Sequence, residues 1–289
     1  MTRPITVGVD GSPESVAAAA WAGREAVRRG LPLRVVHAWE WQSYDIAPAV
    51  DRDAQAGWVR EAVREVERTL LDRHPGLTVT AEAPQGAPVE TLVAEAAEAE
   101  LLVLGSRGHG AVVGFLLGSV GRRVIAESTR PVVLVRSDDK ATAEVAGREI
   151  VVGQHGEPED SAAALGFAFA TAAARQAAVR VVRAWNLPPV FAFSPGSLKL
   201  LDEAGGLEPY ERKALDEALR PWRERFPEVP VTEHVEMGSA SQVLLSVAGR
   251  AQLVVVGRHA AHAVGPRIGS VAHALLHHAP CPVAVVPPA

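Results

Sequence analysis

Two hydrophobic patterns alternate along the chain. Short apolar runs rich in branched residues, bounded by turn residues, are separated by longer stretches with helical periodicity. ITVGV (5–9), closed by Asp10-Gly11-Ser12, has the composition of a strand buried on both faces. An alanine-rich helix over 13–29 follows, with Ser12 as N-cap and Pro13 at its first position. LRVVHAW (33–39) reads as a second strand. Residues 57–72 read as a helix, in which Trp58, Ala62, Val66 and Leu70 recur at roughly helical spacing. LTVTAE (77–82), a helix over 88–98, LLVLG (101–105), a helix starting near Gly118 and PVVLVR (131–136) complete the series. Strands alternating with helices predict a parallel sheet covered on both faces. The connections 40–56 and 186–207 are long, contain Pro or Gly, and are expected to be irregular.

The pattern occurs twice. GAPVETLVAEAAEAELLVLGSRG (86–108) matches GSASQVLLSVAGRAQLVVVGRHA (238–260), and ITVGVDGS (5–12) matches IVVGQHGE (150–157). VVHAW (35–39) pairs with VVRAW (181–185), LLGSV (116–120) with RIGSV (267–271), and TRPVVLV (129–135) with PCPVAVV (280–286). A repeat of this length is a whole domain. The fold class expected is α/β: two tandem, doubly wound, parallel five-stranded sheets of Rossmann-like type. The first domain is placed at 1–137, a polar linker at 138–147 and the second domain at 148–289.

Composition narrows the functional classes. Of the 289 residues, 48% are hydrophobic, enough for two ordinary cores. A net charge of −5 gives no basic field for nucleic acid. No apolar stretch approaches the length of a membrane span, and the N-terminal residues lack the apolar core of a signal peptide. The single cysteine, Cys281, forbids an intrachain disulfide. A cytoplasmic location and no membrane association are expected. Lysine occurs only at Lys140, Lys199 and Lys213, and no G-x-x-x-x-G-K-[ST] loop exists, which excludes P-loop chemistry. No G-x-S-x-G elbow is present, and the glycines follow the fourth strand rather than the first, unlike a dinucleotide fingerprint.

The sharpest feature is GSRGHGAVVGFLLGSV (105–120): Gly105, two residues, Gly108, nine residues, then Gly118-Ser119. Gly105 ends a buried strand, and Gly108 permits close backbone approach. Gly118-Ser119 opens a helix whose free N–H groups and dipole attract phosphate. Ser119 adds a hydroxyl and Arg107 a permanent charge. This spacing, with VGVDGS after the first strand, HAW after the second and STRPVVLV at the end, resembles the universal stress protein family over nearly the whole chain, twice. The resemblance implies ATP as ligand, together with Mg²⁺. It places Asp10 at the adenine and ribose end, Gly8 and Ala38 where backbone meets the base, and Gly105, Arg107, Gly108, Gly118, Ser119 and Val120 along ribose and phosphate. It further implies a stress-response regulator, a homodimer and a regulatory protein partner, all without enzymatic turnover. A weak ATP hydrolase and an interaction protein without nucleotide are the alternatives; the motif supplies phosphate donors but no evident base.

The second half departs from this pattern. His155 replaces Asp10 and Ala260 replaces Gly108. Eight residues, including Pro266, separate Ala260 from Gly269-Ser270, although Gly153, Gly257, Gly269 and Ser270 remain. Tighter binding by the first half is therefore expected. His259, His262, His273, His277 and His278 cluster without an H-E-x-x-H pattern and read as local packing rather than a metal site. Cys281, at the start of an apolar strand, reads as a buried thiol. Trp21, Trp39 and Trp185 are assigned to core or interface.

Overall fold

The computed structural model describes residues 2–41, 52–106, 118–136, 148–187, 206–258 and 268–288. The described residues form two compact units, 2–136 together with Ile268, and 148–258 together with 269–288. In the first, β1 (Ile5–Gly8), β2 (Leu33–Val36), β3 (Val79–Glu82), β4 (Leu101–Gly105) and β5 (Val132–Val135) alternate with α1 (Pro13–Arg29), α2 (Arg52–Arg73), α3 (Pro88–Glu98) and α4 (Ser119–Glu127). The strands are parallel in the order β3-β2-β1-β4-β5. β1 is buried throughout and β4 everywhere but at Gly105, as a doubly covered parallel sheet requires. Helices α1 and α2 contact each other, as do α3 and α4, so each pair forms one covering layer.

The second unit repeats this plan with β6 (Glu149–Gln154), β7 (Val179–Trp185), β8 (Val231–Met237), β9 (Ala251–Gly257) and β10 (Val283–Val286). Its helices are α5 (Ala162–Arg175), α6 (Glu208–Arg225), α7 (Ala240–Ala248) and α8 (Ser270–His278). The parallel order is β10-β9-β6-β7-β8. The expected fold is therefore present in each unit.

Local chemistry explains the sharpest boundaries. Ser12 caps α1 by accepting the Ser15 N–H at 3.2 Å, Pro13 starts it, and Gly30 in the left-handed region ends it. In the second unit Glu157-Pro158-Glu159-Asp160 forms a 3₁₀ turn (Pro158–Ser161) before α5 begins, with the Glu157 N–H donating to Asp160 Oδ2 at 3.0 Å.

Helix α2 departs from the expected face. Trp58 is 65% exposed and Ala62 is exposed, while Val63 and Leu70 are buried. A spacing of four residues advances 400° around a helix, so three such steps drift about 120° off any face. The seven-residue interval from Val63 to Leu70 stays on it. Trp21 and Trp39 are buried, and Trp185 is half-buried. Cys281 is buried. Most of the two long connections, at 42–51 and 188–205, lies outside the described residues.

Candidate functional site

The strand order creates a switch point in each sheet. Strand β1 lies between β2 and β4, so the chain winds away from it in both directions, and a crevice opens beyond the carboxyl ends of β1 and β4. A cavity of about 260 Å³ occupies this position. Gly8, Asp10, Ala38, Gly105, Gly118, Ser119 and Val120 all line it. These residues come from four separate segments, which the fold gathers at one place. Arg107 and Gly108 lie outside the described residues.

Each lining residue has a local reason for its place. Gly8 is buried at the end of β1, where a Cβ would stand 2.7 Å from Leu104 and 3.0 Å from Leu92, so its lack of a side chain gives these leucines their space. At Gly105 a Cβ would meet the backbone of Glu14 and Ser15 at 2.6–2.7 Å. Glycine there lets the first turn of α1 press against the end of β4. Gly118 is the N-cap of α4 with φ −59° and ψ 154°, a conformation open to any residue. Its Cβ would meet no atom of the described residues within 4 Å.

Helix α4 supplies the donors. The Arg122 N–H is the one that reaches back to the Gly118 carbonyl, at 3.0 Å. The N–H groups of Ser119, Val120 and Gly121 precede it and have no carbonyl of their own helix to bond. Ser119, Val120 and Gly121 line the cavity, at the positive end of the helix dipole.

Asp10 is the carboxylate of the described lining. Its Oδ1 accepts from the Ser12 N–H at 3.0 Å and from the Ser12 hydroxyl at 2.5 Å. Ser12 Oγ in turn accepts from Ser15, so the carboxylate is anchored to the start of α1. The residue thus closes a turn around Gly11 (φ +80°) and also faces the cavity. Nearby, burial holds the His37 imidazole below the ordinary histidine value, and the Asp10 charge pulls in the opposite direction.

The apolar wall of the cavity carries no signal in the sequence. Val36, Pro88, Leu92 and Leu104 also line the cavity. Nothing in a motif marks them; they line it because they sit at the carboxyl end of β2 and β4 and at the start of α3.

The second unit holds a corresponding cavity of about 340 Å³ between the ends of β6 and β9 and the start of α8. Gly153, Gly257, Gly269 and Ser270 line it, and His155 stands where Asp10 stands in the first unit. Ala260 and Pro266 lie outside the described residues, as do His259 and His262. The His273 and His277 rings lie with centroids 4.4 Å apart and planes tilted by 37°, and no group of three or more potential metal ligands occurs among the described residues.

Comparison with known proteins matches this architecture to one family. The model of the universal stress protein family covers residues 1–136 and again 147–287. A universal stress protein of Mycobacterium tuberculosis is 34% identical over 291 residues, covering 97% of this chain and 96% of its own. One from Mycolicibacterium smegmatis is 33% identical, covering 98% and 97%. A universal stress protein from Archaeoglobus fulgidus superposes over 99% of this chain and 98% of its own, with a TM-score of 0.67 at 17% identity, a likeness of fold. The chain belongs to the universal stress protein family and carries its domain in tandem. No described helix is long and apolar enough to cross a membrane.

Proposed function

We propose that the first unit binds ATP with Mg²⁺ and that the protein acts in the stress response as a nucleotide-dependent regulator, through binding rather than turnover. The observation that carries this reading is the convergence of Gly8, Asp10, Ala38, Gly105, Gly118, Ser119 and Val120 on a single cavity at the switch point. The chemistry of the lining divides along its length. An ionised carboxylate accepts hydrogen bonds and repels phosphate, so Asp10 is suited to the sugar hydroxyls. The N–H groups at the start of α4 and the Ser119 hydroxyl are suited to the phosphates. Val36, Leu92 and Leu104 offer an apolar wall to a purine ring. Mg²⁺ keeps much of its water shell and binds chiefly through substrate phosphates, so it needs no cage of protein carboxylates.

The open space at Gly118 provides the test. Gly118→Ala with Ser119→Ala places a methyl group where phosphate must approach and removes one donor. The fold should tolerate both changes, since the added Cβ meets no described atom and alanine favours the helix. Mg-ATP should raise the melting temperature of the parent protein and leave that of the double variant unchanged. Equal stabilisation of the two proteins would reject the phosphate assignment. Asp10→Ala should weaken binding by about 1–3 kcal/mol in calorimetry without unfolding the unit; an unchanged dissociation constant would leave Asp10 as a turn residue only.

A further inference from the structure

The edge strands of the two units are built differently. β3 pairs with β2 on one side and β8 with β7, and among the described residues neither has a second neighbour. The helix before each edge strand leads into it by the same turn. The His74 N–H donates to the Leu70 carbonyl and the Leu77 N–H to the His74 carbonyl; Phe226, Trp222 and Val229 repeat both bonds. The two edges therefore correspond without a gap: Val63 with Leu215, both buried, and Ala81 with Glu233.

In the second unit the edge is closed by its own charges. Arg223, in the last turn of α6, pairs with Glu233 of β8 and with Asp216 at 2.6 Å. Arg212 pairs with Glu208 at 2.7 Å. In the first unit every acid of this set is gone. Ala56, Arg64 and Ala81 stand at the positions of Glu208, Asp216 and Glu233. Arg60 keeps the position of Arg212, and Arg64 adds a second cation one turn on. Neither makes a hydrogen bond or ion pair with another described residue. A cavity of about 350 Å³ lies beside them, lined by Arg60 and Arg64 from α2 and by Ala81, Glu82 and Ala83 along the edge. Glu82 is already engaged: its carboxylate accepts from Arg34 at 2.9 Å, and Arg34 also holds Glu95 of α3, in the opposite helix layer, at 2.8 Å.

The edge also offers main-chain groups. The Thr78 and Glu82 carbonyls accept the Leu33 and His37 N–H groups at 2.9 and 3.0 Å. In a parallel ladder alternate residues turn both main-chain groups to the same neighbour, so Val79 and Ala81 turn theirs away from β2, to the open edge.

We propose that the edge formed by β3 and α2 in the first unit is a docking site for an extended acidic segment of a partner protein. The segment adds a strand beside β3, and one of its carboxylates enters the cavity to meet Arg60 and Arg64, as the Glu233 carboxylate meets Arg223 within the second unit. Charge selects the partner: two arginines without an acid of their own favour Asp or Glu and disfavour a basic segment. Among the described residues none lines both this cavity and the one between β1 and β4, so the proposal is independent of the nucleotide reading.

The experiment uses the full chain and a fluorescent heptapeptide of alternating valine and glutamate, followed by anisotropy. A matching valine–glutamine peptide lacks the charge. The glutamate peptide should bind about tenfold more tightly than the glutamine peptide, the effect of one hydrogen bond to a charged group. Arg60→Gln with Arg64→Gln should remove that difference. Equal binding of the two peptides by the parent, no binding of either, or a preference that survives in the double variant would overturn the site. Inorganic phosphate and free glutamate serve as competitors. Displacement by either at the concentration where the peptide half-saturates the protein would show an anion site that needs no strand, and would overturn the docking of an extended segment. Ala81→Glu gives a second readout, since it supplies to the first unit the carboxylate that Glu233 gives the second. It should block the peptide and raise the melting temperature by about 2 °C, and it should lose that gain in the Arg60→Gln, Arg64→Gln background. An equal fall in melting temperature in both backgrounds would place the arginines away from the cavity and overturn the proposal.

Discussion

Gly105 and Gly257 end equivalent strands, and each lines its unit's cavity, yet their surroundings give them different roles. A methyl group on Gly105 would enter the backbone of Glu14 and Ser15, which no rotamer change relieves. On Gly257 it would meet, among the described residues, only the Ala164 Cβ, at 4.0 Å, an ordinary contact. Gly105→Ala should therefore destabilise the first unit by about 1–3 kcal/mol, whereas Gly257→Ala should stay within about 0.5 kcal/mol. Chemical denaturation of both variants checks the contrast; equal effects would remove the close approach of α1 as the reason for glycine at 105. The His37 imidazole makes a second residue-scale prediction. Burial lowers its pKa in the folded state from the ordinary value of 6.5. The unfolded chain then binds the extra proton first, and stability rises with pH in that range. Its contribution is complete above about pH 6.5 and is lost as the pH falls below that value. His37→Gln should flatten the fall in unfolding free energy between about pH 7 and 5, measured by denaturant titration at each pH. An unchanged slope would mean that another group titrates there.

At the scale of elements, the α2 face shows what periodicity can and cannot deliver. The helix was legible, but its buried side was not, because the large apolar Trp58 drew the pattern to the exposed side. Leu70→Ala should cost about 2–4 kcal/mol as a core truncation, and Trp58→Ala less than about 0.5 kcal/mol. Thermal melts of the two variants decide which face packs. The order of strands and helices and the caps at Ser12 and Gly118 could be read from local sequence, since turn and cap chemistry is local. Strand lengths were overread at β2, where HAW continues past the paired residues Leu33–Val36. The apolar wall of the cavity was not legible, because Val36, Leu92 and Leu104 meet only through tertiary packing. The reason for Gly105 was hidden for the same cause: it depends on a backbone about ninety positions earlier in the chain.

Across the whole molecule, duplication gives one chain two copies of a cavity, and the two copies differ in the charged residues after their first strands. The helix entry is retained in both, as Gly118-Ser119 and Gly269-Ser270. The charge at the other end is not: Asp10 and His37 give way to His155 and Arg183. A ligand whose sugar hydroxyls contribute to binding should therefore fill the two units in sequence rather than together. Hydrogen exchange on the intact chain resolves this, because α4 and α8 lie in different peptides. With Mg-ATP added in steps, the amides at the start of α4 should gain protection first. Those at the start of α8 should follow at about tenfold higher concentration, the difference expected for one hydrogen bond to a carboxylate. Replacing Asp10 by alanine should bring the two responses together without changing the α8 curve. Protection of α8 before α4 in the parent protein would reverse the assigned order of the sites, and simultaneous protection would show that the carboxylate does not discriminate.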